Sequence, residues 1–156
     1  MEKNARIYVA GHSGLVGSAL VRALQDLGYR HLITRPHAEL DLSDRHRVRR
    51  FFSQERPEFV FMAAAKVGGI VANERFPADF IRINLEIETN VIHETFANHA
   101  ERLLFLGSTC VYPRDCEQPI REEYLLSGPL ESTNSAYAIA KIAGIEMCRS
   151  YNAQHG

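Results

Sequence analysis

A chain of 156 residues, 46% hydrophobic and 24% charged, has the length of one domain and the make-up of an ordinary globular core, which excludes a disordered or fibrous polypeptide. Its net charge of −1 offers no field to hold nucleic acid or an anionic membrane surface, so neither partner is expected. The longest apolar runs, such as residues 59–65, are too short to cross a bilayer, and residues 7–10 run straight into Gly11 and His12 rather than forming a signal-peptide core.

In chain order, the apolar residues 6–10 read as a first strand. Apolar residues then recur at helical spacing from Leu15 through Ala19, Leu20, Ala23 and Leu24 to Leu27, and Gly28 ends that helix. Residues 31–34 predict a short second strand. Ser43 or Asp44 is placed to cap a second helix reaching about Glu55, with Pro57 beyond it. A third strand over 59–64 leads into a glycine loop, Val67-Gly68-Gly69-Ile70. Pro77 opens a long helix to about Asn98, and residues 103–107 form a fourth strand. Residues 108–133 are punctuated by Pro113, Pro119, Gly128 and Pro129 and read as irregular. Asn134 or Ser135 caps a final helix to about Gln154.

Strand and helix alternate, the order of an α/β fold with a doubly wound parallel sheet. The run Phe59-Val60-Phe61-Met62-Ala63 fits a parallel strand buried on both faces. No repeat or linker divides residues 1–156. Three cysteines, Cys110, Cys116 and Cys148, without a Cys-x-x-Cys pair, point to free thiols in a reducing compartment, hence a cytoplasmic protein. The seven histidines are scattered, and no metal site is expected.

Between the first strand and first helix lies Gly11-His12-Ser13-Gly14-Leu15-Val16-Gly17. Gly11 permits a tight turn, Gly14 lets the backbone approach a pyrophosphate, and Gly17 allows close packing. The helix N-terminus beyond offers free N–H groups to phosphates. In that position the triplet indicates a Rossmann-type dinucleotide site. Its G-x-x-G-x-x-G spacing resembles the short-chain dehydrogenase/reductase version. After the second strand comes Thr34-Arg35-Pro36-His37, with no carboxylate before Glu39. A carboxylate there would accept from the ribose 2′-hydroxyl of NAD, whereas an Arg suits a 2′-phosphate, so NADP(H) is expected, held by Arg35 and more weakly by His37. Asp41-Leu42 resembles the acidic–aliphatic pair that contacts adenine in that superfamily. Small residues Ala63 and Ala64 would let the third strand end close to the cofactor.

Tyr137-Ala138-Ile139-Ala140-Lys141 places Tyr and Lys on one helix face. An ammonium beside the phenol is expected to lower a pKa that starts near ~10, making Tyr137 a proton donor and acceptor near neutral pH. Leu106-Gly107-Ser108-Thr109 ends the fourth strand, where Ser108 and Tyr137 can direct two donors at one carbonyl oxygen. Cys110 can share that pocket as an acid or base. By spacing alone it reads more readily as a small core residue.

The strings from Val9 through Gly17, from Ala63-Ala64-Ala65-Lys66-Val67-Gly68-Gly69 to Asn73, Ser108-Thr109-Cys110-Val111-Tyr112-Pro113 and Tyr137 through Gly144 resemble GDP-L-fucose synthases, extended short-chain dehydrogenase/reductases. The resemblance covers nearly the whole chain. It implies NADPH-dependent 3,5-epimerisation and 4-keto reduction of GDP-4-keto-6-deoxy-D-mannose. Ser108, Tyr137 and Lys141 would be the reductase triad and Cys110 an epimerisation acid/base. Leu106, Gly107, Ser108, Tyr137 and Lys141 would join the glycine loop in contacting the cofactor, and a homodimer is implied for the full-length enzyme. Ser13 and His37 stand where some members carry Arg. The family is about twice as long, so the chain is expected to be its front half, a Rossmann domain without the substrate domain. Alternatives are another nucleotide-sugar epimerase, reductase or dehydratase, or a dinucleotide-binding module without turnover.

Overall fold

Along the first strand, β1 (Arg6–Ala10), side chains alternate between two apolar clusters, so both faces of the sheet are covered. Ile7 and Val9 join Leu24 of α1 (Leu15–Asp26). Tyr8 and Ala10 face the larger cluster, which takes Val48, Phe51 and Phe52 from α2 (Arg45–Glu55) and Ile87, Val91 and Ile92 from α4 (Pro77–Ala97). The computed structural model describes residues 1–156. Its remaining elements are β2 (His31–Ile33), β3 (Phe59–Met62), a short α3 (Ile70–Arg75), β4 (Arg102–Phe105) and α5 (Ser135–His155).

The four strands form one parallel sheet in the order β2-β1-β3-β4. This is the doubly wound, Rossmann-like α/β architecture expected. The chain steps outward from β1 to β2, then crosses back to lay β3 on the other side of β1. Ala10 pairs with Met62, and Met62 with Phe105, so these three strands end level. A crevice at the carboxyl ends of strands on either side of such a reversal is where ligands bind in open α/β sheets.

Local chemistry explains most boundaries. Gly28 takes φ 80 after α1, which favours glycine. Asp44 caps α2, its carboxylate accepting from the His46 and Arg47 amides at 2.9 and 3.1 Å. Arg56, left-handed at φ 46, ends α2 before Pro57. The strands stop one or two residues short of the expected limits because Thr34, Ala63–Ala64 and Leu106–Gly107 already diverge into the crevice loops. Two expectations need correction. Ile70, read as part of the glycine loop, is instead the first residue of the one-and-a-half-turn α3, with Gly69 at its N-cap. Residues 108–133 contain 3-10 turns at Thr109–Val111 and Glu122–Tyr124, and another at Ser132–Asn134 precedes α5. Asn134 precedes α5, but its side chain makes no capping bond. No helix is long and apolar enough to cross a membrane. The outer side of β4 is unpaired, and Leu104 there is 49% exposed.

Candidate active site

A cleft of about 490 Å³ opens at the carboxyl edge of the sheet. The whole glycine loop, residues 11–17, lines it. Gly11 has φ 79, and a Cβ there would lie 2.7 Å from the Ala64 amide nitrogen. At Gly17 a Cβ would sit 2.1 Å from the Gly11 carbonyl oxygen, so close approach of α1 to the turn requires glycine. Gly14 precedes α1 without a capping side chain, which leaves the first-turn N–H groups open to an anion. Leu15 is 90% exposed at the mouth, and the His12 Nδ1 is buried without a partner. These features fit a dinucleotide pyrophosphate.

At one end of the cleft, Arg35 and His37 line the wall with Leu42. Arg35 pairs with Glu55, donates to the Thr34 carbonyl at 2.8 Å and lies over the Phe51 ring. Its guanidinium is therefore pre-positioned but shared. His37 is mostly exposed, 4.0 Å from Asp41. Asp41 does not line the cleft with Leu42; its Oδ1 accepts from the Ser43 amide and hydroxyl at 2.9 and 2.7 Å. Partial burial works to raise the Asp41 pKa, but the Ser43 bonds and the charges of His37 and Arg47 outweigh it and lower it.

The floor is formed by Ala63, Ala64, Leu106 and Gly107, with Tyr137 and Lys141 from α5. The four-residue spacing sets both side chains on the cleft face, as expected. Ser108 and Cys110 stand at the start of the 3-10 turn that follows β4. The Cys110 thiol donates to the Ser108 Oγ at 3.1 Å, and the Cys110 amide approaches the same oxygen at 3.4 Å. With that oxygen accepting, the Ser108 hydroxyl proton is free to be donated elsewhere. Ser108 also reaches the Tyr137 phenol.

One electrostatic expectation is overturned. Lys141 does not lower the Tyr137 pKa. Its ammonium lies 3.2 Å from Glu88 Oε1 on α4, with both side chains buried, and 6.0 Å from the Tyr137 ring centroid. Burial first, then the charges of Cys110 and Glu88, raise the Tyr137 pKa, while the Ser108 hydrogen bond opposes them. The phenol is thus held protonated, as a donor.

Three polar residues on α4 escaped sequence reasoning. Asn84, fully buried, accepts from the Lys66 amide at 2.8 Å and donates to the Lys66 and Phe80 carbonyls, fixing the loop after β3. Asn90 donates to the Leu42 and Ser43 carbonyls at 2.9 and 3.1 Å, fixing the opposite wall. Glu88 pairs with Lys141. The available signal was polar residues at 84 and 88, one turn apart on a helix with buried Phe80, Ile87 and Val91.

Residues 7–156 match the model of the NAD dependent epimerase/dehydratase family. The chain belongs to that family. Within it, the chain is 57% identical over 155 residues to GDP-L-fucose synthase 1 of Arabidopsis thaliana, covering 99% of this chain and 48% of that protein. It is 54% identical over 151 residues to GDP-L-fucose synthase of Escherichia coli K12, covering 97% and 47%. Among solved structures, a GDP-mannoheptose C4 reductase from Campylobacter jejuni with NADP bound superposes with a TM-score of 0.97 at 46% identity, covering 100% of this chain and 49% of that one. The chain spans about half the length of the curated relatives it matches. The cleft gathers the glycine cradle, Tyr137 and Lys141 at one sheet edge, whereas Ser108 and Cys110 stand beside it without lining it.

Proposed function

We propose that the chain supplies the NADP(H) site and the proton-transfer groups of an enzyme that converts GDP-4-keto-6-deoxy-D-mannose to GDP-L-fucose. One observation carries this reading: Ser108, Cys110, Tyr137 and Lys141 meet at the sheet edge beside a glycine cradle, in a chain 54–57% identical to proteins named for that reaction. The cradle would hold the pyrophosphate through the first-turn amides of α1. Arg35 and His37 would meet the 2′-phosphate, Leu42 the adenine, and Lys141 the nicotinamide ribose. NADPH, when bound, supplies the hydride for reduction.

The chain's own residues do the proton chemistry. Tyr137, held protonated by burial, donates its phenolic proton to the sugar O4 as that oxygen gains charge. The Ser108 hydroxyl donates to the same oxygen. Epimerisation uses the same donors differently. Cys110 acts as the base that removes a proton from a carbon beside the ketone; the electron pair moves to O4, where Ser108 and Tyr137 stabilise the enolate. Inverting the centre requires a proton delivered to the opposite ring face by a second acid, a role assigned to none of these four residues.

A second reading, C4 reduction of a related GDP-sugar without epimerisation, is favoured by the likeness to the heptose reductase. The assay is NADPH consumption with GDP-4-keto-6-deoxy-D-mannose, with the product sugar identified. GDP-L-fucose supports the first reading. Reduction without inversion supports the second. NADPH binding with no consumption of either substrate leaves a dinucleotide-binding module.

A further inference from the structure

Lys141 is 2% exposed. A buried ammonium needs a counter-charge or it sheds its proton. The structure gives it one carboxylate, Glu88, itself 2% exposed, at 3.2 Å. Neither Glu88 oxygen takes any other hydrogen bond. The contact is built from three elements. Glu88 comes from α4 and Lys141 from α5, and the Phe105 ring of β4 lies 4.6 Å from the Nζ as a cation–π floor. Gly144, three residues beyond Lys141, makes room: a Cβ there would meet Phe105 Cζ at 2.4 Å and Glu88 Oε2 at 2.9 Å.

We propose that Glu88 is the positioning residue for Lys141, holding its ammonium charged and in place beneath the cleft and thereby setting the electrostatics felt by Tyr137 and by a bound dinucleotide. The last clause rests on the cofactor reading above; the pairing does not.

The groups facing Glu88 are Lys141, Tyr137 and Cys148 from α5, with the uncharged Phe105 from β4 and Cys110 beyond the phenol. Burial raises the Glu88 pKa to about 7, against the pull of Lys141. Above that pH the Glu88–Lys141 pair is neutral. Below it Glu88 takes a proton and Lys141 is left without its counter-charge. Glu88 also raises the Tyr137 and Cys148 pKa values, so its protonation relaxes both.

Only three lysines occur, Lys3, Lys66 and Lys141, so lysine-labelled protein yields three side-chain amine signals, with Lys141 assigned through Lys141→Arg. In the unsubstituted chain the Lys141 signal is expected to step near neutral pH as Glu88 titrates, while Lys3 does not. In Glu88→Gln the step disappears, and Glu88→Asp restores part of it. No step in the unsubstituted chain overturns the proposal, and this arm decides even where Glu88→Gln does not fold. A step that persists in folded Glu88→Gln overturns it equally. NADPH affinity is followed by nucleotide fluorescence on the same samples and is expected to change in Glu88→Gln. If no form binds NADPH while the Lys141 step persists, the cofactor reading fails and the positioning role stands.

Discussion

Replacing Gly17 with Ala asks a helix to retreat from the turn that feeds it. The new methyl would begin 2.1 Å from the Gly11 carbonyl oxygen and 2.9 Å from His12 Cα, both backbone atoms that cannot rotate aside. The Gly11 carbonyl also accepts from the Gly14 amide at 3.0 Å, so moving the turn strains that bond. Overpacking of this kind costs about 1–3 kcal/mol, and a weakened turn bond adds roughly 1 kcal/mol. Alanine's better helix propensity returns about 1 kcal/mol. The expected net loss is ~2 kcal/mol, a fall in melting temperature of roughly 4–8 °C for a domain of this size, together with loss of NADPH binding as the cradle deforms. Gly14→Ala is the control. Its Cβ meets only the Gly11 carbonyl oxygen, at 3.4 Å, so the melt should stay within about 1 kcal/mol of the parent. The methyl nevertheless enters the cradle, so binding should weaken. Thermal unfolding and nucleotide fluorescence on the two variants separate folding from binding. A Gly17→Ala protein that melts with the parent and binds normally would refute the close-approach argument.

Further outcomes follow from the rest of the site. Glu88 keeps its proton to about pH 7 when folded, against an ordinary value of 4.5. The folded state therefore binds the extra proton between those values, and stability falls as pH rises through that window, by up to ~1.4 kcal/mol per pH unit. Urea midpoints across it should flatten in Glu88→Gln; an unchanged slope contradicts the assignment. Asn90→Ala strips the buried Leu42 carbonyl and the half-buried Ser43 carbonyl of a donor and should cost about 1–3 kcal/mol in urea unfolding, with weaker NADPH binding at the adenine end; a neutral substitution would show that the wall is held otherwise. Arg35→Leu should lower the preference for NADPH over NADH by ~10-fold or more, whereas Glu55→Gln, which frees the guanidinium, should raise it. Equal affinities across these variants would remove Arg35 from the 2′-phosphate site. On the proposed reading, Tyr137→Phe in the full-length enzyme should slow reduction by roughly 10²–10⁴-fold while leaving NADPH binding nearly unchanged; retained turnover would assign the proton to another group.

The fold was legible where its causes are local. Alternating apolar residues in 6–10, the helical period from Leu15, the Asp44 cap and the glycines at 11, 14 and 17 each carry their own geometry, and each appeared where expected. α3 was not legible because its six residues hold less than two turns, and Ile70 and Val71 are exposed rather than periodic. The cleft residues of the glycine loop and of the Tyr137–Lys141 pair could be named from spacing alone. The pairing that sets their charge could not. Glu88 and Lys141 are 53 positions apart, and only the packing of α4 on α5, permitted by Gly144, brings a carboxylate between the lysine and its expected effect on the phenol. Asp41 shows the same limit on a smaller scale: the motif placed it, but Ser43 two residues later claims its carboxylate.

Asn84 and Asn90 are six residues apart on one helix and pin loops at opposite ends of the cleft. The distance between those anchors is the rise of α4, about 9 Å, and their angular separation is set by the same backbone. The cleft therefore has a ruler rather than two independent walls. A single-residue insertion between them would leave α4 helical yet turn Asn90 by roughly 100° relative to Asn84, so that the helix could hold one loop or the other but not both. Divergence in this part of the chain can proceed by exchanging side chains far more readily than by changing its length.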